Sequence, residues 1–213
     1  MAQVKICGLS TQVTMQAALD HSADMVGLVF FAKSPRNVSI EQATALADQA
    51  RGKAKVVALV VDADDAFLNH LTKSVRPDFI QAHGHETPDR IAEIHALTQT
   101  PIIKAIKVET AQDVSTAATY PAAALILYDA KAPKGLLPGG NGLSFDWTLL
   151  EGVSGQYMLS GGLDPENVAA AIRVTGAPIV DVSSGVETSP GVKDAQLIAK
   201  FIKAANKALN EDY

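Results

Sequence analysis

Residues able to do chemistry fall at recurring places in this sequence. Cys7, the only cysteine, closes the apolar run "QVKIC", and Asp129 closes "AALILYD". Arg36 lies in "KSPRN" and His83 opens "HGHE", while "SGGL" and "SSGVE" hold Gly161, Gly162, Ser184 and Gly185. A thiol and a carboxyl can flank one small substrate, and the planar guanidinium fork suits a carboxylate. Small residues in paired loops let backbone N–H groups and a helix end meet an anion such as phosphate. Each feature alone also has a plain structural explanation. Unpaired cysteines are often small buried hydrophobes, histidines can be satisfied core residues, loop arginines are mostly solvated, and glycines make tight turns.

The elements that must position these residues are legible as an alternation of short, β-rich apolar runs with amphipathic segments, the pattern of parallel strands joined by crossover helices. The strand candidates are "QVKIC", "MVGLVF", "KVVALVV", "DFIQA", "PIIKAI", "AALILYD", "GQYMLSG" and "PIVDVSS". Helical segments such as "SIEQATALADQA" and "DADDAFLNHL" lie between them, and "DPENVAAAI" predicts a helix capped by Asp164 with Pro165 in its first position. The last helix, over 193–209, sets Leu197, Ile198, Phe201, Ile202 and Ala205 on one stripe.

Eight such pairs in 213 residues predict an α/β chain forming a single-domain (β/α)8 TIM barrel over 1–213. A doubly wound open sheet is the rival, but its Gly-rich dinucleotide turn is missing from "CGLSTQ". In a barrel the site is built at the C-terminal strand ends, and the loops after strands 7 and 8 are the usual phosphate site. Strand alternation puts Lys5 with Cys7 on one face, and Leu125 and Leu127 with Asp129, so Cys7 and Asp129 approach the barrel mouth from nearly opposite walls. The loop "KGLLPGGNGLS" reads as a flap over the site or as a plain flexible loop; without GK[ST] it is no nucleotide P-loop.

Composition narrows the partners. The 47% hydrophobic content suffices for a sizeable core, and 18 basic against 23 acidic residues give −5 with no basic cluster. Nucleic acid is therefore not an expected partner. The N-terminal stretch lacks a basic segment followed by a long apolar one, and no run approaches bilayer-spanning length, so neither a secreted precursor nor a membrane protein is expected. One cysteine excludes an internal disulfide and leaves the cytoplasm as the default. Five histidines without ligand spacing give no support for a zinc site. No helix carries an excess apolar face that would fix an oligomeric state.

The segments "KICGL", "GLVFFAKSPRNVS", "HGHE", "LYDAKAPKGLLPGGNGLSFDW", "LSGGLDPENV" and "DVSSGVETSPGVKD", in this order over nearly the whole chain, resemble the phosphoribosylanthranilate isomerase family of tryptophan biosynthesis. The resemblance implies an Amadori rearrangement of N-(5-phosphoribosyl)anthranilate to 1-(2-carboxyphenylamino)-1-deoxyribulose 5-phosphate, without metal or organic cofactor. It implies Cys7 as general base, Asp129 as general acid, Arg36 on the anthranilate carboxylate, and Asp181 at the site, bonding a substrate hydroxyl. His83 falls among its substrate contacts, and Gly161, Gly162, Ser184 and Gly185 at its phosphate. A free thiol near ~8.5 and a free Asp near ~3.9 each need tuning. Lys5 and the cationic intermediate are expected to favour the thiolate, while burial and substrate charge raise Asp129. Ala82 and His85 depart from the family pattern around the fourth loop.

Two other sugar-phosphate barrel enzymes compete: a metal-dependent pentose-phosphate epimerase, which needs His/Asp ligands at several strand ends, and an isomerase with two aspartates, which needs one at Cys7. A non-catalytic barrel that binds a phosphorylated metabolite is the rival from another class.

Overall fold

All eight strand candidates pair in chain order in the computed structural model, which describes residues 3–133 and 139–210. They are β1 (Gln3–Cys7), β2 (Met25–Phe30), β3 (Lys55–Val60), β4 (Phe79–Ala82), β5 (Ile102–Val108), β6 (Leu125–Ala130), β7 (Tyr157–Leu159) and β8 (Ile179–Val182). Parallel pairing of β8 with β1 closes the barrel, with Lys5 opposite Asp181. Alternation sends Met25, Val57, Ile103, Leu127, Met158 and Ile179 into the barrel interior, where they form a small apolar layer. The opposite faces, including Val4, Ile6, Val26 and Val180, pack under the helices in the larger core.

The helices are α1 (Gln12–Asp20), α2 (Ile40–Ala50), α3 (Asp65–Val75), α4 (Pro88–Thr98), α5 (Ala111–Ser115), α6 (Val168–Thr175) and α7 (Ala195–Asn210). Local chemistry explains their starts. Ser39 Oγ accepts from Gln42 N at 3.1 Å, Asp64 Oδ1 from Phe67 N at 2.8 Å, and Thr87 Oγ1 from Arg90 N at 3.2 Å ahead of Pro88. On α7, Ile198, Phe201, Ile202 and Ala205 are buried as the stripe requires, with Leu197 half-buried. Each large apolar side chain so covered contributes roughly 1.5–3 kcal/mol.

Two expectations need correction. Eight strands are present, but among the described residues β6 and β7 are joined only by a 3-10 turn at Trp147–Leu150, and α5 has five residues before a second 3-10 turn. The helix after β7 begins at Val168 with Asn167 as its N-cap, three positions beyond Pro165. The cause lies in the side chains. Asn167 Oδ1 accepts from Asp164 N at 2.9 Å while its Nδ2 donates to the Gly162 carbonyl at 2.8 Å, and Asp164 Oδ1 accepts from Glu166 and Asn167 N–H groups. These bonds make Asp164 the cap of a turn over 165–167, with Val168 N donating to the Asp164 carbonyl at 3.1 Å, so the expected cap is present and regular helix follows only from Val168.

Candidate active site

At the C-terminal end of β1, Lys5 and Cys7 both face inward, as alternation requires, and both are buried. Lys5 Nζ donates to Asp181 Oδ1 at 2.8 Å, and Ser160 Oγ donates to Asp181 Oδ2 at 3.2 Å. Burial alone lowers the Lys5 pKa, but Asp181 and Cys7 outweigh it and keep the ammonium charged. Burial pushes the Cys7 thiol up, and Lys5 opposes this without reversing it. The expected thiolate is thus not the resting form, because Asp181 already answers the charge of Lys5 and itself disfavours a second anion. Gly27 on β2 makes room for the thiol: a Cβ there would stand 2.8 Å from Cys7 Sγ.

The facing wall is built from β4, β5 and β6. Asp129 Oδ1 accepts from Ala130 N at 2.9 Å, and Oδ2 accepts from Lys107 Nζ at 2.6 Å, with His83 Nε2 at 3.2 Å. Burial alone would raise this carboxyl, but the Lys107 ammonium outweighs it and holds the group well below the usual carboxylate range. In the free site, without the substrate charge on which that expectation also rested, burial does not prevail and Asp129 is not raised. Burial and the nearby Lys107 together lower His83, leaving the imidazole neutral. Lys107 Nζ lies 2.6 Å from His83 Nε2, so that nitrogen accepts and Nδ1 carries the proton. Gln81 Nε2 stands 2.9 Å from Nδ1 while its buried Oε1 has no partner. Turning the Gln81 amide over lets Oε1 accept from Nδ1 and resolves both anomalies.

Arg36, in the loop after β2, does not stand free. Its Nε and Nη2 donate to Glu187 Oε1 and Oε2, each at 2.7 Å, and Nη2 also reaches the Gly140 carbonyl at 3.1 Å. Burial by itself raises Glu187, but Arg36 and Lys193 keep it ionised. Glu187 opens the hairpin β9 (Glu187–Ser189) and β10 (Val192–Lys193), which follows a 3-10 turn at Ser184–Val186.

These walls enclose about 520 Å³ of open space lined by Cys7, Arg36, His83, Asp129 and Asp181 together with Ser183. An adjoining pocket, open to solvent, is lined by Gly161, Gly162 and Ser184 and by Gly139 to Leu143. Gly161 and Gly162 have φ of +88° and +64°, and a Cβ on Gly161 would come within 2.6 Å of Ala130 N, so only glycine lets the loop lie this close to Asp129. Gly185 lies outside both linings. Its Cα packs on the Leu163 carbonyl, where any Cβ would collide, so it holds the two loops together rather than touching the cavity. Residues 134–138 of the glycine-rich loop after β6 lie outside the described residues, and with them the flap expectation.

Sequence reasoning placed the rim residues but missed Lys107, Glu187, Lys193 and Gln81. Alternation could have found two of them, since Lys107 shares a face with Ile103 and Ala105, and Gln81 lies two positions before His83. Nothing local marks Glu187 as the partner of an arginine 151 positions away. His85 is exposed and turns toward Asp62, with Nδ1 3.3 Å from Oδ2. Among the described residues no group of three or more His, Cys, Asp or Glu could hold a metal ion, and no helix is long and apolar enough to cross a membrane.

Comparison with known proteins falls on one family. The family model described as N-(5'phosphoribosyl)anthranilate (PRA) isomerase matches residues 4–204. N-(5'-phosphoribosyl)anthranilate isomerase of Rhodopseudomonas palustris (strain BisA53) is 54% identical over 206 residues, covering 95% of this chain and 94% of its own length. The protein of that name from Parvibaculum lavamentivorans is 51% identical, over 97% and 99% of the two chains. The crystal structure of the Thermotoga maritima enzyme superposes with a TM-score of 0.88 at 34% identity, covering 97% of this chain and all (100%) of that one. A structure of phosphoribosyl anthranilate isomerase in complex with reduced 1-(o-carboxyphenylamino)-1-deoxyribulose 5-phosphate superposes with a TM-score of 0.85 at 33% identity, over 97% and 100% of the two chains.

Proposed function

Since the chain belongs to the N-(5'-phosphoribosyl)anthranilate isomerase family, we propose that it converts N-(5-phosphoribosyl)anthranilate to 1-(2-carboxyphenylamino)-1-deoxyribulose 5-phosphate in tryptophan biosynthesis, with Cys7 and Asp129 as its proton-transfer groups. The observation that carries this reading is that a thiol and a carboxyl from β1 and β6 line one cavity whose neighbour is walled by the Gly161–Gly162 and Ser184 loops. A sugar phosphate bound with its phosphate among those loops lies across the barrel mouth, its ribose between the two groups. The Arg36 guanidinium lies in the same cavity, where the anthranilate carboxylate ends. Asp181, anchored by Lys5 and Ser160, keeps lone pairs for a ribose hydroxyl. The lone thiol favours a reducing compartment such as the cytoplasm, and one barrel over 1–213 suffices to build the whole site.

In the first step the Asp129 carboxylic acid gives its proton to the ring oxygen as the C1–O bond breaks, and the anthranilate nitrogen supplies the electron pair that forms a C1=N⁺ bond. The iminium acidifies the C2 hydrogen. The Cys7 thiolate takes that proton, and the C–H electrons form C1=C2 while the nitrogen regains its lone pair. The resulting enolamine ketonises without net proton change. Afterwards Asp129 is a carboxylate and Cys7 a thiol, the protonation states that the surroundings favour in the free site. The working pair differs from the resting pair only by one proton moved from sulfur to carboxyl. Catalysis therefore draws on the minor tautomer, and the proton count of the site is right over a wide pH range.

The test is the loss of anthranilate-type fluorescence when the purified protein meets freshly generated phosphoribosylanthranilate in the presence of a metal chelator. Rapid decay in the wild type supports the isomerase. Decay at the spontaneous rate would leave a phosphate-binding barrel and overturn the reading.

A further inference from the structure

The latter half of the segment "DVSSGVETSPGVKD" has no part in the reaction described above, yet it carries a heavily bonded carboxylate. The Glu187 side chain is 3% exposed and takes four donors: Arg36 Nε and Nη2 at 2.7 Å each, Lys193 Nζ at 2.6 Å and Gly191 N at 3.2 Å. Lys193 is itself pinned to the Ser183 carbonyl at 2.9 Å and to Ser183 Oγ at 3.2 Å, and Ser183 Oγ donates to the Cys7 carbonyl at 3.2 Å. The hairpin also touches the Arg36 loop through backbone, because a Cβ on Gly191 would come within 2.6 Å of the Pro35 carbonyl. The hairpin and the loop after β2 are thus latched at two points. One is an ion pair and the other a close backbone contact.

The consequence falls on the guanidinium. Nε and both hydrogens of Nη2 are spent on Glu187 and the Gly140 carbonyl, while Nη1 has no acceptor within hydrogen-bond distance among the described residues. Nη1 packs closely on Gly140, where a Cβ would collide with it, so only glycine leaves Nη1 its place there, and both residues line the cavity that holds Cys7 and Asp129. We propose that Glu187 is a positioning residue that fixes the plane of Arg36 so that Nη1 alone is offered to the substrate's carboxylate, with Lys193 holding Glu187 in place. A flexible arginine would have to be ordered when substrate binds, and that entropy would weaken binding. A clamped one has been ordered on folding. Lys193 offsets the Glu187 charge, so the cluster of Arg36, Glu187 and Lys193 keeps one net positive charge toward the carboxylate.

This inference rests on the isomerase reading, and its test separates the two. The wild type, Glu187→Gln and Glu187→Asp are compared on two substrates, the phosphoribosyl adducts of anthranilate and of aniline, the latter lacking the carboxylate. Thermal melting of each variant is recorded alongside. Glu187→Gln should raise KM for the anthranilate adduct about tenfold, the scale of one charge-assisted contact, with kcat within about twofold. KM for the aniline adduct should not move. Glu187→Asp, which keeps the charge and shortens the reach, should show a smaller rise on the same substrate only, and it keeps the test valid if the glutamine variant melts before assay. Equal losses on both substrates, or a KM for the anthranilate adduct that stays level or falls, would overturn the positioning role. A wild type that converts no anthranilate adduct would instead remove the isomerase reading on which the role depends.

Discussion

Two walls of the barrel mouth each set a buried titratable group beside a lysine, with opposite results. On the β5–β6 wall Lys107 touches Asp129 directly at 2.6 Å, and the carboxyl stays ionised against the cost of burial. On the β1–β8 wall Lys5 is bonded at 2.8 Å to Asp181, and the Cys7 thiol stays protonated. On one wall the lysine is bonded to the titrating group itself, and on the other it is bonded to a second carboxylate while burial holds the thiol up. A cation whose charge is answered by a neighbour can do little for a third group, whereas one without a competing carboxylate can outweigh desolvation. One site thereby keeps an anion and a neutral acid of higher pKa side by side at neutral pH.

Removing either proton-transfer group tests the comparison most severely. Cys7→Ser and Asp129→Asn should each lower kcat by about 10²–10⁴-fold, the usual contribution of a positioned acid or base, with a melting temperature near the wild type for Cys7→Ser and a lower one for Asp129→Asn, which loses the ion pair to Lys107. A fluorescence assay of turnover checks this. Retention of more than a tenth of the activity by either variant would remove that wall from the chemistry.

Releasing Lys5 should convert the thiol wall into the other kind. Asp181→Asn takes away the competing anion, so the Cys7 pKa should fall, and alkylation rates followed against pH should show the thiolate appearing at lower pH than in the wild type. The variant also leaves a buried lysine short of its partner, which costs about 3–5 kcal/mol in typical cases, so its melting temperature should drop. An unchanged thiol titration would mean that Asp181 does not screen Lys5.

Crowding the thiol is a milder perturbation. Gly27→Ala places a Cβ within 2.8 Å of Sγ, so the thiol must turn. A displacement of that kind should reduce kcat by about tenfold, with little change in KM. The smallest effect is on folding. Asp129 has a folded pKa below its unfolded value near ~4, so it contributes stability above that value and loses it as pH falls further. Denaturant unfolding between pH 5 and pH 2, on the order of the range set by that carboxyl, should show this slope in the wild type and a flatter one in Lys107→Met.

How much was legible follows from the range of the interactions. The strands could be read because burial on both faces writes continuous Val, Ile and Leu runs, and alternation alone placed Cys7 and Asp129 on facing walls. The Asp164 cap was legible, but regular helix begins only at Val168, because Asn167 bonds back to Asp164 and Gly162 and holds the intervening residues in a turn. The thinning of the helix between β6 and β7 was missed for a similar reason: helical patterning there says little about packing. The resting protonation states of the free site were not legible because each depends on a contact between residues far apart in sequence. Lys107 reaches Asp129 over 22 positions and Asp181 reaches Lys5 over 176. The occupancy of Arg36 by Glu187 was hidden by the same distance in sequence.

The pH dependence of kcat/KM for phosphoribosylanthranilate, measured on the wild type and on Lys107→Met, bears most directly on the claim that the two walls are tuned separately. The wild type should show a broad plateau, its acid limb set by Asp129 and its basic limb by Cys7. Loss of Lys107 removes the main charge holding the carboxyl down, so the acid limb should move to higher pH while the basic limb stays in place. An acid limb that does not move, or two limbs that move together, would contradict the assignment of Asp129 and Cys7 as independently tuned acid and base.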